Sequence, residues 1–267
     1  MSKRITIAGL GWLGLPLAHH LKTLGYKVKG SVTSKDKAHT ISKTGIRTCA
    51  LLFGEQGITG AIKTLLDDTE VLLIMIPPGL RRNTGADYAL KMSHFVKAIA
   101  QTDITKIVLV SSISVYDDSQ GLVTEREVPK PQLRAGKQLF EVEQLFFNAP
   151  ELETTIIRFG GLFGGNRNPV KFLVGRTNLH NGKAPVNLIH RDDCIGILTE
   201  VVKQEAYGHI FNGVMPQHPT KEEYYQRQAE RLGLPLPEYE NAAEGIFKQV
   251  DSINLEEVLG YTFKRKL

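Results

Sequence analysis

The chain is poor in cysteine and tryptophan and has no long apolar run: its 267 residues include 2 Cys and 1 Trp, with aromatics at 7%. Cys49 and Cys194 stand far apart with no ligand spacing, which argues against a disulfide framework and against a zinc site, and no metal is expected. Each reads as a small buried apolar side chain. No apolar stretch approaches the ~20 residues of a membrane-spanning helix, so no membrane partner is expected. Charge of one sign is not concentrated either. The formal net charge is +5, and Lys and Arg are scattered without interleaved aromatics, so nucleic acid is not implied. A preference for anionic, phosphorylated small molecules suits that balance. The opening residues run straight into a β-rich segment, and the cytoplasm is the expected compartment, with the protein a monomer or homodimer.

What is present starts at residue 3. Lys3 to Ala8 is β-rich and ends in Gly9-Leu10-Gly11-Trp12-Leu13-Gly14, followed by apolar helical periodicity from Leu13 to Leu24. A G-x-G-x-x-G run between a strand and a helix is the dinucleotide fingerprint. Gly9 permits the tight turn, Gly11 lets backbone approach a pyrophosphate, and Gly14 lets the helix pack on the strand. The helix N-terminus, with Trp12 and Leu13 at its entrance, offers N–H groups to phosphate.

The second strand, Tyr26 to Thr33, decides the nicotinamide cofactor. An NAD site usually carries a carboxylate at this strand's end, which grips the ribose 2′-OH. Here Val32 is followed by Thr33-Ser34-Lys35, two hydroxyls and an ammonium that suit a 2′-phosphate. The expectation is therefore NADP rather than NAD; Asp36 is the acid if the register slips.

Further along, Ala38–Lys43 suggests a short helix, 46–51 a strand and 58–66 a helix. Val71 to Ile76 is continuously apolar, like a strand covered on both faces, and stops at Pro77-Pro78-Gly79. Those prolines read either as a loop over the adenosine half of the cofactor or as a simple stop signal. Residues 87–100 have an amphipathic pattern, and 104–110 is another buried strand. Strand and helix alternate throughout, which predicts a Rossmann-type, doubly wound, mainly parallel α/β sheet. Its expected extent is 1–160, with a smaller C-terminal substrate lobe over 161–267 and about 190–204 packing back on the first domain. In the second half, Asp192-Asp193 reads as a helix N-cap, 210–214 as a strand, Thr220 with Glu223 as a capping box, and 250–259 as a last helix.

Several segments resemble one family. Ser111-Ser112-Ile113-Ser114-Val115-Tyr116 after a buried strand, Arg158-Phe159-Gly160-Gly161-Leu162-Phe163-Gly164, and Asn187-Leu188-Ile189-His190-Arg191-Asp192-Asp193 follow the order of extended short-chain dehydrogenases/reductases, the NAD(P)-dependent epimerase/dehydratase group. The tail resembles an atypical bacterial branch of that group, the YeeZ-like proteins. The resemblance implies an oxidoreductase or epimerase/dehydratase in which a Ser/Thr positions the substrate oxygen. A Tyr-x-x-x-Lys pair then moves the proton, because a phenol titrating near 10 needs a neighbouring cation to work at neutral pH. Ser112 matches the hydroxyl, and Ser111 falls beside the cofactor.

The Tyr-x-x-x-Lys pair is missing. If Lys137 is the lysine, Leu133 occupies the tyrosine position; if Val142-Glu143-Gln144-Leu145 sets the register, the pair falls on Ala135 and Leu139. Tyr116 is the nearest substitute phenol, with a packed aromatic as the competing reading. Arg167 has the chemistry to grip phosphate or carboxylate, against a surface arginine, and Asn187 and His190 are candidate substrate contacts, His190 against a structural role. Three functions follow. The first is an NADP-dependent enzyme of this group acting on a small, phosphorylated or nucleotide-bearing substrate. The second is a cofactor-binding sensor that has lost catalysis. The third, a hydroxyacid dehydrogenase, requires an all-helical second half that the β-rich turns after Thr154 do not resemble.

Overall fold

The computed structural model describes residues 2–79, 87–240 and 245–267. In chain order the first half runs β1 (Arg4–Ala8), α1 (Gly14–Thr23), β2 (Lys27–Val32), α2 (Lys35–Ser42), β3 (Arg47–Gly54), β4 (Gly57–Gly60), α3 (Ile62–Leu66), β5 (Val71–Ile74), α4 (Tyr88–Ile99) and β6 (Lys106–Ser112). The second half adds β7 (Leu122–Val123), α5 (Arg134–Phe147), β8 (Glu153–Phe159), β9 (Gly161–Phe163), β10 (Leu188–His190), α6 (Arg191–Gln204), β11 (Ile210–Gly213), α7 (Lys221–Arg231), β12 (Gln249–Val250) and α8 (Asn254–Glu257).

Eight strands form the central sheet in the order β11-β8-β6-β5-β1-β2-β3-β4. Every pairing is parallel except the β3–β4 hairpin at the edge. The chain builds outward from β1 through β2 and β3, then returns to the other side of β1 at β5. The reversal leaves a crevice at the carboxyl ends of β1 and β5, the topological switch point where open α/β sheets bind ligands.

Period-2 alternation sends neighbouring residues of each strand to opposite faces. Ile5, Ile7, Val71, Leu73 and Val108 meet Leu17, Leu21, Ile41, Ile197 and Val201 of α1, α2 and α6. Ala8, Leu72, Ile74, Ile107 and Leu109 meet Leu65, Met92, Phe95, Leu139 and Phe146 of α3, α4 and α5. This doubly wound sheet is the architecture that the strand–helix alternation predicts. β8 ends at Phe159, and the sheet is then completed from the second half by β11, while α6 joins the hydrophobic face of α1. The remaining residues carry the parallel β9–β10 pair, α7 and the β7–β12 pair. No helix among the described residues is long and apolar enough to cross a membrane.

Four local expectations are corrected. The helix expected over 58–66 is split: Gly54-Glu55-Gln56-Gly57 closes a hairpin, β4 occupies 57–60, and only 62–66 is helical. The hairpin needs φ of +128° at Gly57, open to glycine alone without strain. α2 begins earlier than expected because the Ser34 hydroxyl accepts from the Lys37 N–H and caps it. α6 is capped not by Asp192 or Asp193 but by the His190 ring, whose Nδ1 accepts from the Asp192 N–H at 3.1 Å. The last helix shrinks to 254–257 because Gln249 and Val250 pair with β7 instead.

Candidate cofactor site and the adjoining polar cluster

The glycine loop lies at the β1–α1 junction. Gly9 has φ +114°, and a Cβ there would stand 2.7 Å from the Met75 carbonyl oxygen. A Cβ on Gly14 would stand 2.2 Å from the Gly9 carbonyl, so any side chain would push α1 off the turn. Gly11 is different: a Cβ there meets nothing within 4 Å. Its bareness serves no packing contact and leaves the backbone open to an approaching group. Leu13 is the N-cap residue of α1, no side chain caps the helix, and its first turn carries no acid. Such a helix start suits an anion, and the loop fits a dinucleotide pyrophosphate.

At the end of β2, Val32 is buried and Thr33, Ser34 and Lys35 are exposed, immediately beyond the strand. Ser34 already accepts one backbone N–H as a cap, and Lys35 opens α2. Asp36 sits in the first turn of α2, where a carboxylate favours the helix dipole. Pro77 is exposed and Pro78 half-buried beyond β5.

At the end of β6 the serines part company. Ser111 points inward and donates to Glu143 Oε1 at 2.6 Å, so its hydroxyl is not at the cofactor crevice as expected. Ser112 and Ser114 lie 3.0 Å apart, Oγ to Oγ, and the Ser112 oxygen also accepts from the Ser114 N–H. The first turn of α5 packs against this corner, since a Cβ on Gly136 would lie 2.4 Å from the Ser114 carbonyl. Lys137 is exposed in that turn, and Leu133, just before it, is 76% exposed.

Tyr116, the expected substitute phenol, is 1% exposed. Its oxygen accepts from Arg158 Nη1 at 2.6 Å and lies 3.0 Å from the Thr124 carbonyl and 3.2 Å from Asn212 Oδ1, either of which takes its proton. Burial pushes the phenol's pKa up, with the Arg158 charge opposing. It is a core group with every bond taken, and this placement disagrees with a role in proton transfer to substrate. Arg158, 2% exposed, is held by Glu143 through Nε and Nη2, the closest contact being 2.7 Å. The sequence reading missed this pair: Arg158 follows the apolar Ile156-Ile157, but Glu143 stands in the polar run Glu141-Val142-Glu143-Gln144 with nothing to single it out.

Residues of the second half of the chain meet the glycine loop through Trp12. The indole N–H donates to Asn166 Oδ1 at 2.9 Å. Arg167 stacks on the ring with Cζ 4.3 Å from its centroid, and Arg191 at 5.3 Å. Arg167, expected at the substrate, therefore stands beside the cofactor loop. Asn187 is tied to the C-terminal strand, donating to the Lys248 carbonyl at 2.9 Å and accepting from the Val250 N–H at 2.8 Å. Both ends of its amide are thereby used in structure. His190 caps α6 and packs edge-on against Phe163. Burial lowers its pKa, opposed by Asp192, which keeps Nδ1 an acceptor. Tyr116, Asn187 and His190 thus each spend side-chain polar atoms on contacts within the protein, and Ser112 bonds its neighbour Ser114.

A switch-point crevice with a bare glycine loop and an uncapped helix start defines a dinucleotide-binding protein of the Rossmann class. Residues 9–205 match the family described as NAD(P)H-binding, and the chain belongs to that family. Protein YeeZ of Escherichia coli (strain K12) is 33% identical over 265 residues, spanning 98% of this chain and 96% of YeeZ. Among solved structures, the UDP-N-acetylglucosamine 4-epimerase from Bacillus cereus superposes with a TM-score of 0.79 at 20% identity, covering 99% of this chain and 95% of that one. A short-chain dehydrogenase/reductase superfamily protein from Agrobacterium tumefaciens with bound NAD gives 0.78 at 16% identity, covering 98% and 93%. The fold is that of NAD(P)-binding epimerases and dehydratases.

Proposed function

We propose that the protein is an NADP(H)-dependent oxidoreductase or epimerase/dehydratase of the extended short-chain type, acting on a small substrate that carries a phosphate or nucleotide. The observation that carries this reading is the Ser112–Ser114 hydroxyl pair, placed at the carboxyl end of β6, the same end of the sheet as the glycine loop. The loop backbone would hold the pyrophosphate and Thr33, Ser34 and Lys35 the 2′-phosphate. The bound cofactor would supply or accept the hydride. Ser112 and Ser114 would orient the reacting oxygen, and a hydroxyl of the pair would pass a proton to it or take one from it. Lys137, on the adjacent turn of α5, would favour the negatively charged form of that oxygen and restore the proton. Nucleotide sugars are the substrate class that the epimerase neighbour's name suggests.

The tests are separate for cofactor and chemistry. Calorimetric titration should show NADPH binding more tightly than NADH, and Lys35→Glu should weaken NADPH far more than NADH. An equal or reversed preference rejects the 2′-phosphate assignment. For chemistry, Ser112→Ala should slow NADPH-linked turnover about a hundredfold, the usual scale for a lost acid–base group, with cofactor affinity nearly unchanged. A second reading, a cofactor sensor without catalysis, is favoured by Leu133, an exposed leucine where one register puts the family's phenol. It predicts no NADPH oxidation across carbonyl and nucleotide-sugar substrates, although NADPH still raises Tm.

A further inference from the structure

Trp12 is the largest side chain on the glycine loop, and nothing in the loop's own fold requires it. Gly9 and Gly14 are fixed by close backbone contacts, and Leu10 and Leu13 are buried in the core. Trp12 is half-buried, and its hydrogen bond and ring stacks all go to the second half of the chain. The indole N–H donates to Asn166 Oδ1 at 2.9 Å, with Arg167 and Arg191 stacked at 4.3 and 5.3 Å. The turn that carries Asn166 is built to hold it there. Gly164 and Arg167 exchange both backbone hydrogen bonds, at 2.9 and 3.1 Å, which fixes Gly165 and Asn166 between them at the tip. Its back is seated on the entrance of α6: a Cβ on Gly164 would lie 2.3 Å from His190 Nε2, and one on Gly165 2.5 Å from Arg191 Nη1. α6 in turn is packed on α1 through Ile197, Val201, Leu17 and Leu21, so the acceptor stands on a firm base.

Beside the ring is the backbone of Gly11. Apart from its chain neighbours Leu10 and Trp12, no atom comes within 4 Å of where a Cβ would stand. Leu10 is locked in the core at 1% exposure. Of the two neighbours only Trp12 can turn its side chain into that space, by a change of rotamer about χ1 and χ2.

We propose that Trp12 is a gate on the dinucleotide site and that Asn166 holds it open. The bond from the indole to Asn166 parks the ring against the second half of the chain; a released ring swings across Gly11, where the diphosphate has to enter. Asn166 is then a positioning residue, acting through Trp12 without touching the cofactor. This rests on the cofactor reading above and deepens it. A ring that blocks the site part of the time lowers the apparent affinity by the fraction of open molecules. It does so through association, because a bound dinucleotide keeps the ring out. Loss of a direct contact would instead speed dissociation, as most contact losses do.

The test is stopped-flow binding of NADPH, followed by the cofactor's own fluorescence, with calorimetry of NADPH, NADH and ADP-ribose. It compares the full chain with Asn166→Ala, Trp12→Phe, Trp12→Ala and the double variant Trp12→Ala with Asn166→Ala. Asn166→Ala removes the acceptor and Trp12→Phe the donor, and both leave a ring free to turn. Each should slow association about threefold to tenfold, the scale of a lost neutral hydrogen bond. Dissociation should change less than about twofold on the same reasoning, and all three ligands should weaken alike. With no ring to park, the double variant should bind as Trp12→Ala does. If Asn166→Ala fails to fold, Trp12→Phe carries the same test. Association as fast as wild type in the variants that fold, or a loss that appears as faster dissociation, overturns the gate. So does an Asn166→Ala loss that persists in the Trp12→Ala background, because Asn166 would then touch the ligand itself. A wild-type chain that binds neither dinucleotide rejects the cofactor reading and the gate with it; a chain that binds them while the variants match it loses the gate alone.

Discussion

The buried Glu143–Arg158 pair gives the largest stability effect the structure allows to be worked out. Glu143 is fully buried and accepts from Arg158 Nε and Nη2 and from Ser111. Glu143→Ala would leave a guanidinium 2% exposed with no counter-charge, and breaking a buried pair in this way costs about 3–5 kcal/mol. Against a total stability of about 5–15 kcal/mol, that is a large fraction of the whole. The same reasoning makes the double replacement Glu143→Leu with Arg158→Met far milder, because both charges leave together and apolar side chains of similar volume fill the space. Tyr116 would still have an acceptor for its proton in the Thr124 carbonyl or Asn212 Oδ1. Urea unfolding followed by circular dichroism, with both single variants and the double, gives the cycle. The expected order is wild type close to double, with both singles well below. A Glu143→Ala loss under about 1 kcal/mol, or a double variant as unstable as the worse single, refutes the account.

Three further outcomes follow from the same geometry. Gly11→Ala should leave Tm unchanged while weakening NADPH binding, whereas Gly14→Ala, whose Cβ would overlap the Gly9 carbonyl at 2.2 Å, should lower both; thermal melts with and without cofactor separate them. His190 is held below its ordinary pKa by burial, with Asp192 opposing, so its contribution to stability is present above pH ~6.5 and lost as pH falls through the lowered value. His190→Ala should remove about 1 kcal/mol at pH 8 and flatten that acid limb in a melt series from pH 8 to 5. Burial raises the phenols of Tyr116, Tyr224 and Tyr239, the last two to about 12. Their contribution is complete below pH ~10 and lost as pH rises through the raised values, so Tm should fall above pH 10 while absorbance at 295 nm shows delayed tyrosine ionisation.

What sequence could tell about this molecule depended on how far apart the partners lie. The loop Gly9–Gly14 was legible because its chemistry is local: strand, turn and helix follow within twenty residues. The apolar runs at β5 and β6 were legible because both faces of those strands are covered. The β3–β4 hairpin was not, since Ile58, Ile62, Leu65 and Leu66 also fit one face of a helix. Only the positive φ of Gly57 and Gly60 separates the two. Sequence left Tyr116 open between substitute phenol and packed aromatic, and the structure fits the second. Its oxygen is bound by residues 42 and 96 positions away, and nothing near residue 116 announces them. Arg167 carried the right chemistry, but position alone could not show that Trp12, 155 residues earlier by the numbering, was its partner.

The fate of Tyr116 constrains the chemistry open to this fold. β8 carries Arg158 into the core, where all its donors must find acceptors. Glu143 supplies two oxygens, and the Tyr116 hydroxyl takes Nη1. A phenol that gave up its proton there would gain charge in a buried site, and one that swung out would strand a guanidinium donor, which costs about 1–3 kcal/mol or more for a charged group. Tyr116 is therefore the wrong group to cycle through ionisation, whatever its sequence distance from Ser112. The polar groups that the proposed reading uses at this corner are small: the half-buried Ser112 and exposed Ser114 hydroxyls and the exposed Lys137 ammonium, with Leu133 76% exposed. On the reading proposed above, proton transfer runs through hydroxyls and water under an ammonium's field. That arrangement tolerates a substrate oxygen already acidified by a neighbouring phosphate or carbonyl better than an unactivated alcohol.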